Sequence, residues 1–120
     1  MKKKLVFISI ILFFASSCKY DKGPLPVIKE QLQCDTVVSY STSILPIVMT
    51  KCAANSGCHG SGSINGDYTI YFDLGAKANS GKITNRVFEI KDMPQPGNPA
   101  LSDTELSVIK CWIQQGATDN

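Results

Sequence analysis

The sequence predicts a small all-α domain with a helix at each end. Residues 39–53 and 101–115 both carry apolar side chains at helical spacing. The second stretch opens with Ser102-Asp-Thr-Glu105, which has the form of a capping box, and it closes at Gly116. The segments between them are rich in glycine and proline, which interrupt regular structure. We therefore expect short helices and loops between the two terminal helices.

The first helix is expected to start at Ser41 or Ser43 and to deliver Cys52 at its C-terminal end. Two short helices are expected next. Residues 69–77 are aromatic-rich, so a strand competes with a helix there. Residues 82–88 place Ile83 and Val87 four positions apart, as on one helix face.

The N-terminus has the pattern of a signal peptide. Three lysines precede a ten-residue apolar run, residues 5–14, which is too short to span a bilayer. Small residues then lead directly to Cys18, which resembles the lipobox of bacterial lipoproteins. We expect residues 1–17 to be removed, Cys18 to be lipidated, residues 18–37 to form a tether and residues 38–120 to form the domain.

Charge argues against nucleic acid as a partner. The chain of 120 residues has 12 basic and 10 acidic residues, a formal charge of +2. The predicted signal peptide takes three of the basic residues and none of the acidic ones, so the mature charge is about −1. Without a basic surface, the lipid anchor alone implies contact with a membrane.

Two thiols and the single histidine of the chain lie within eight residues, at Cys52, Cys58 and His59. A covalent c-type haem site needs two thiols to react with two vinyl groups, and a neighbouring histidine to ligate the iron. The usual spacer between the cysteines is two residues, whereas here it is five. The turn-forming residues 55–57 allow the longer spacer to loop outward. The motif predicts one covalent haem.

Other interpretations of these residues stay open. Cys52 and Cys58 could form a local disulfide in an exported chain. A zinc site fits less well, because the two thiols are far apart for such a site and no second histidine exists. His59 could also be an ordinary surface residue.

A proline-rich loop follows at residues 93–99 and begins with Met93. Its three prolines exclude a helix or a central strand, so it holds Met93 in a definite place. A thioether suits haem iron opposite histidine, and a site with both axial positions filled is typical of electron transfer. The alternative is that Met93 fills the core.

The five cysteines leave one further pair. With Cys18 assigned to lipid and Cys52 and Cys58 to haem, Cys34 and Cys111 remain. In an oxidising compartment such a pair suggests a disulfide that closes almost the whole domain, although sequence alone does not determine connectivity.

From about Val38 to Ala117 the chain resembles the small haem-c domains of the cytochrome c superfamily, especially those of envelope lipoproteins. The resemblance rests on the Cys-His pair, on "ILPIV" before it, on "NRV" before "MP", and on the closing "LSDTELSVIKCWIQQGA". It implies an all-α, cytochrome c-like fold that wraps the haem, with crossing first and last helices. It also assigns thioether links to Cys52 and Cys58, and axial ligation to His59 and Met93.

The function that follows is electron transfer in the bacterial cell envelope, on the periplasmic or outer-membrane side, with redox partner proteins and no catalysis. Two alternatives remain. One is a haem-containing enzyme subunit, a peroxidase or dehydrogenase, which would need an open iron position. The other is a haem-free lipoprotein binding module stapled by disulfides.

Overall fold

The computed structural model describes residues 34–55 and 57–120, and this part is helical with no β-strand. The predicted signal peptide, Cys18 and most of the tether lie outside the described residues. Helix α1 comprises Tyr40–Ile44, Leu45–Ile47 and Val48–Cys52; α2 is Tyr71–Asn79, α3 is Thr84–Glu89, and α4 is Asp103–Gln114. The all-α prediction is confirmed, and residues 71–72 are helical rather than extended. No helix in the described part is long and apolar enough to cross a membrane.

Helix α1 winds more widely than an α-helix over most of its length. Its first and last segments have π-type bonding, in which the Ile44 N–H reaches the Ser39 carbonyl at 3.2 Å. In an α-helix, residues four apart drift by about 40° around the axis. The wider turns counteract this drift, so Tyr40, Ile44 and Val48 all stay buried on one face, and Cys52 continues the same series.

The start of α1 differs from the prediction because of the C-terminus. Ser39, not Ser41 or Ser43, caps the helix, and its hydroxyl accepts from the Thr42 N–H. The Ser39 and Ser41 hydroxyls both donate to the Asn120 carbonyl, at 2.7 and 3.3 Å. The Tyr40 N–H donates to the Asn120 side chain at 3.0 Å. The last residue therefore holds the first turn of α1.

Helix α4 forms as its sequence predicts. The Ser102 hydroxyl accepts from the Glu105 N–H at 3.2 Å, and the Glu105 carboxylate accepts from the Ser102 N–H at 2.7 Å. This reciprocal pair satisfies two of the free N–H groups at the helix start. Gly116, at a φ of 94°, ends the helix in the left-handed conformation that glycine tolerates best.

Trp112 is the centre of the core and is 1 % exposed. Its indole N–H donates to the Thr118 carbonyl at 3.0 Å, which folds the C-terminal segment back over α4. The Tyr40 ring lies 6.1 Å from the Trp112 ring and 5.4 Å from the Tyr71 ring. These contacts join α1, α2 and α4 around one set of buried side chains, which are Tyr40, Ile44, Val48, Leu74, Ala78, Ile109, Trp112 and Ala117.

Cys34 and Cys111 form a disulfide across 77 positions, as predicted. The segment after Cys34 is also held against the end of α4, because Gln115 accepts from the Val38 N–H and donates to the Thr36 carbonyl. In the chain-entropy description, a cross-link that closes a loop of this size stabilises the fold by on the order of 4 kcal/mol.

Candidate functional site

A cavity of about 690 Å³ opens beside the core, and all four predicted haem residues line it. Cys52 reaches it from the end of α1, Cys58 and His59 from the following loop, and Met93 from the proline-rich loop. Its apolar wall consists of core residues from three helices, namely Ile44, Val48, Leu74, Ile109 and Trp112. The fold thus brings the four predicted haem residues, which are up to 41 positions apart in the sequence, to one cavity.

Two backbone hydrogen bonds connect Cys58 and His59 to the chain at the end of α1. The Cys58 N–H donates to the Asn55 carbonyl at 3.0 Å, and the His59 N–H donates to the Cys52 carbonyl at 3.0 Å. The second bond returns the chain to the end of α1, so both cysteines border the same cavity despite their spacing.

Cys52 and Cys58 are both free thiols, so the local disulfide considered from the sequence is not formed. Burial raises the pKa of Cys52 to about 11, and the neighbouring Cys58 and Glu105 add to this shift. Cys52 is therefore a protonated thiol at neutral pH. Within residues 34–55 and 57–120, no group of three or more His, Cys, Asp or Glu side chains is arranged to hold a metal ion.

His59 stacks face to face on Tyr68. The two ring centroids are 3.9 Å apart and the ring planes differ by 1°. The Tyr68 N–H also donates to the His59 carbonyl at 2.8 Å. The His59 Nδ1 atom is buried and has no hydrogen-bond partner among the described residues. An imidazole with this surrounding is held by a stacking contact rather than by a hydrogen bond at Nδ1.

The charge state of His59 suits a metal ligand. Burial lowers its pKa, backbone groups of Asn65 and Gly66 oppose that shift, and the positive charges of Lys77 and Arg86 add to it. The net direction is downward, so the ring is neutral at neutral pH, which is the form in which imidazole binds metals.

The loop that carries Met93 is held at both ends. On its N-terminal side, the Arg86 guanidinium donates to the Asp92 carboxylate at 2.7 Å, and the Asp92 N–H donates to the Arg86 carbonyl at 3.1 Å. On its C-terminal side, the Asn98 side chain accepts from the Asn55 amide at 2.7 Å. Met93 itself is half-buried and lines the cavity.

Two features of the site were not predicted from the sequence. One is the stacking partner Tyr68, which lies nine positions after His59 with no local pattern to indicate the contact. The other is charge: in the part of the chain that the structure describes, Lys51, Lys77, Lys82 and Arg86 line the cavity, and no acidic side chain does. These four positively charged residues are not adjacent in the sequence, and the fold brings them to one cavity.

Comparison of the chain with known protein families, with curated proteins and with solved structures found no match.

Proposed function

We propose that this chain is a membrane-anchored c-type cytochrome that carries electrons in the bacterial cell envelope, with one haem bound covalently in a cytochrome c-like, haem-wrapping fold. The observation that carries the proposal is that Cys52, Cys58, His59 and Met93 line one cavity. These are the four residues whose chemistry a c-type site requires.

The residues of the cavity fit a haem in three respects. Two thiols are free, an imidazole is neutral, and a thioether is available on a separate loop. The wall opposite them is apolar, as a flat apolar macrocycle requires. The volume of about 690 Å³ lies within the range of roughly 300–1,000 Å³ that small-molecule and cofactor sites occupy.

In this proposal each residue has one role. Cys52 and Cys58 form thioether links, His59 is the proximal ligand, and Met93 is the distal ligand. When bound, the haem iron supplies a one-electron oxidation and reduction. The protein orients the cofactor and excludes water from it, and Met93 fills the position that an enzyme would leave open. That arrangement favours an electron carrier over a peroxidase or dehydrogenase subunit.

The partners are then other redox proteins of the envelope. Lipidated Cys18 and the tether at residues 18–37 would keep the domain close to the membrane in which such partners reside. The mature charge of about −1 gives no support for a nucleic-acid partner.

The direct test is covalent haem attachment. The chain should be produced in a bacterium that has the haem-attachment machinery, then analysed by intact mass and by the pyridine haemochrome spectrum. We expect the mass to increase by one haem, and we expect the increase to disappear in a Cys52→Ala, Cys58→Ala double variant. A matured chain without haem would instead support a haem-free binding module.

A further inference from the structure

We propose that Tyr68 is the positioning residue of the site, because its ring fixes the plane of the His59 imidazole for iron ligation. This inference rests on the proposed function. Its direct basis is the stack, in which the centroids are 3.9 Å apart and the planes are parallel to within 1°. A parallel contact of this kind leaves the imidazole little freedom to rotate without losing the ring contact or colliding with it.

The need for such a residue follows from the unpartnered nitrogen. A metal-bound histidine is usually oriented by a hydrogen bond from its second ring nitrogen to a carboxylate, a carbonyl group or water. Across residues 34–55 and 57–120, the buried His59 Nδ1 has no such partner. The stack with Tyr68 therefore takes part in orienting the ring, together with the backbone groups of Asn65 and Gly66 that act on the imidazole.

Tyr68 can serve as a fixed surface because its own position is constrained from two sides. The Tyr68 N–H is bonded to the His59 carbonyl at 2.8 Å. The Gly66 backbone approaches the ring so closely that an added Cβ would lie 3.3 Å from the Tyr68 Cε1 atom. The ring therefore contacts the backbone of Gly66 as well as the imidazole.

The segment around Tyr68 is joined in turn to α2. The Asp67 N–H donates to the Asp73 carboxylate at 3.0 Å, and the Asp67 carboxylate accepts from the Thr69 N–H at 2.9 Å. The position of Tyr68, and with it that of the imidazole, therefore depends on the position of α2. Loss of its ring would leave His59 attached to the iron but free to adopt several planes.

The test compares two substitutions in the haem-loaded protein. Tyr68→Phe keeps the ring and removes only the hydroxyl, whereas Tyr68→Leu keeps a similar apolar volume and removes the stack. In oxidised low-spin haem, the spread of the four haem methyl proton resonances reports the plane of the axial ligands. We expect Tyr68→Phe to keep the wild-type pattern. We expect Tyr68→Leu to shift it and broaden the lines, with the iron still low spin.

A wild-type methyl pattern in Tyr68→Leu would overturn the proposal, and so would an equal change in both variants, because the hydroxyl and not the ring would then be responsible. A second measurement needs no variant. In the haem-free wild-type chain, the stack should move the His59 ring protons upfield by the ring current of Tyr68. Unshifted protons would overturn the positioning role.

The outcomes separate this inference from the proposed function. A wild-type chain that acquires haem but has unshifted His59 protons would retain the function and lose the role of Tyr68. A wild-type chain that acquires no haem would overturn both, even if the stack itself is observed.

Discussion

The Asn55 amide donates to the Asn98 side chain at 2.7 Å, across 43 positions of sequence. Asn55 belongs to the five-residue spacer between the cysteines, and Asn98 belongs to the loop that carries Met93. The residues that lengthen the spacer therefore also hold the loop of the proposed distal ligand. This bond connects the segment between the two cysteines to the loop that carries Met93.

Removal of the bond should make Met93 easier to displace. A hydrogen bond of this kind contributes about 0.5–1.5 kcal/mol, so we expect Asn55→Ala to tighten the binding of added imidazole by about two- to tenfold. Asn98→Ala should have a larger effect, because Asn98 also donates to the Gln95 carbonyl. Spectral titration with imidazole measures both effects.

The matched control is Asn79→Ala, at an exposed position at the end of α2. It should leave the imidazole affinity unchanged. A double-mutant cycle of Asn55 and Asn98 isolates the bond itself, and strictly additive effects would show that the two amides are not coupled.

Met93 should determine the spin state of the iron. Met93→Ala is expected to retain covalent haem, because the proposed attachment depends on Cys58 and His59 and not on Met93. It should convert the iron to high spin, lower the reduction potential and allow small exogenous ligands to bind, since sulfur ligation favours reduced iron. Absorbance spectra and a redox titration provide the measurements.

Met49→Ala is the control for that experiment, because Met49 is 52 % exposed on α1 and does not line the cavity. It should keep the wild-type spectrum and potential. If Met93→Ala also keeps them, another residue is the distal ligand or the position is open, and the enzyme alternative gains support.

Cys52 should react slowly with alkylating reagents in the haem-free chain. Only the thiolate reacts, and burial raises the pKa of this thiol to about 11. About one thousandth of the thiol is then ionised at pH 8, and the alkylation rate should rise about tenfold per pH unit up to about pH 10. A Cys18→Ser, Cys58→Ser chain leaves Cys52 as the reactive candidate, with the Cys34–Cys111 bond intact.

The same pKa shift has a consequence for stability. Because the folded state favours the protonated thiol, the contribution of Cys52 to the free energy of unfolding is complete below the ordinary thiol pKa of 9.0 and is lost as the pH rises towards 11.

An alkylation rate that levels off near pH 9 would show that Cys52 is not buried as described. A small free thiol measured in parallel calibrates the rates.

The Cys34–Cys111 bond should contribute a large part of the stability. We expect Cys34→Ser to lower the free energy of unfolding by about 2–5 kcal/mol, measured by urea denaturation of the haem-free chain. Reduction of the wild-type protein is the control, because it breaks the same cross-link without a substitution. A non-reducing peptide map that joins Cys34 to Cys52 instead would contradict the structure.

Cys18 is expected to hold the protein at the membrane. Cys18→Ser should move the chain from the membrane fraction to the soluble fraction, because neither the acyl group nor the cleavage signal survives the change. Cys34→Ser is a matched control, since it makes the same Cys-to-Ser change outside the predicted lipobox. Unchanged membrane association of Cys18→Ser would mean that the chain is anchored by another route.

Some features of the fold and of the site could be predicted from the sequence. The capping box of α4 joins Ser102 and Glu105, three positions apart, so four residues predict it. The disulfide followed from a count of cysteines once three had been assigned. The proline-rich loop predicted that Met93 is held in a definite place, and that place is beside the cavity.

Features that depend on how separate segments pack against one another could not be predicted from the sequence. The cap of α1 is Ser39, and the hydroxyls of Ser39 and Ser41 both donate to the carbonyl of Asn120, about 80 positions away. The stack of Tyr68 on His59 depends on how residues 60–67 turn back, and no periodicity describes such a loop. The wide winding of α1 likewise keeps its buried residues on one face, and the position of that face is set by packing against the other helices.

The disulfide also determines which helix first takes up a force applied through the upstream chain. Any pull exerted through the chain upstream reaches Cys34 first, and the covalent bond passes it directly to Cys111 in α4. The force bypasses residues 35–39 and therefore reaches α4 before it reaches α1. Tension on the upstream chain would then act on α4 before it acts on the segment that carries Cys52, Cys58 and His59.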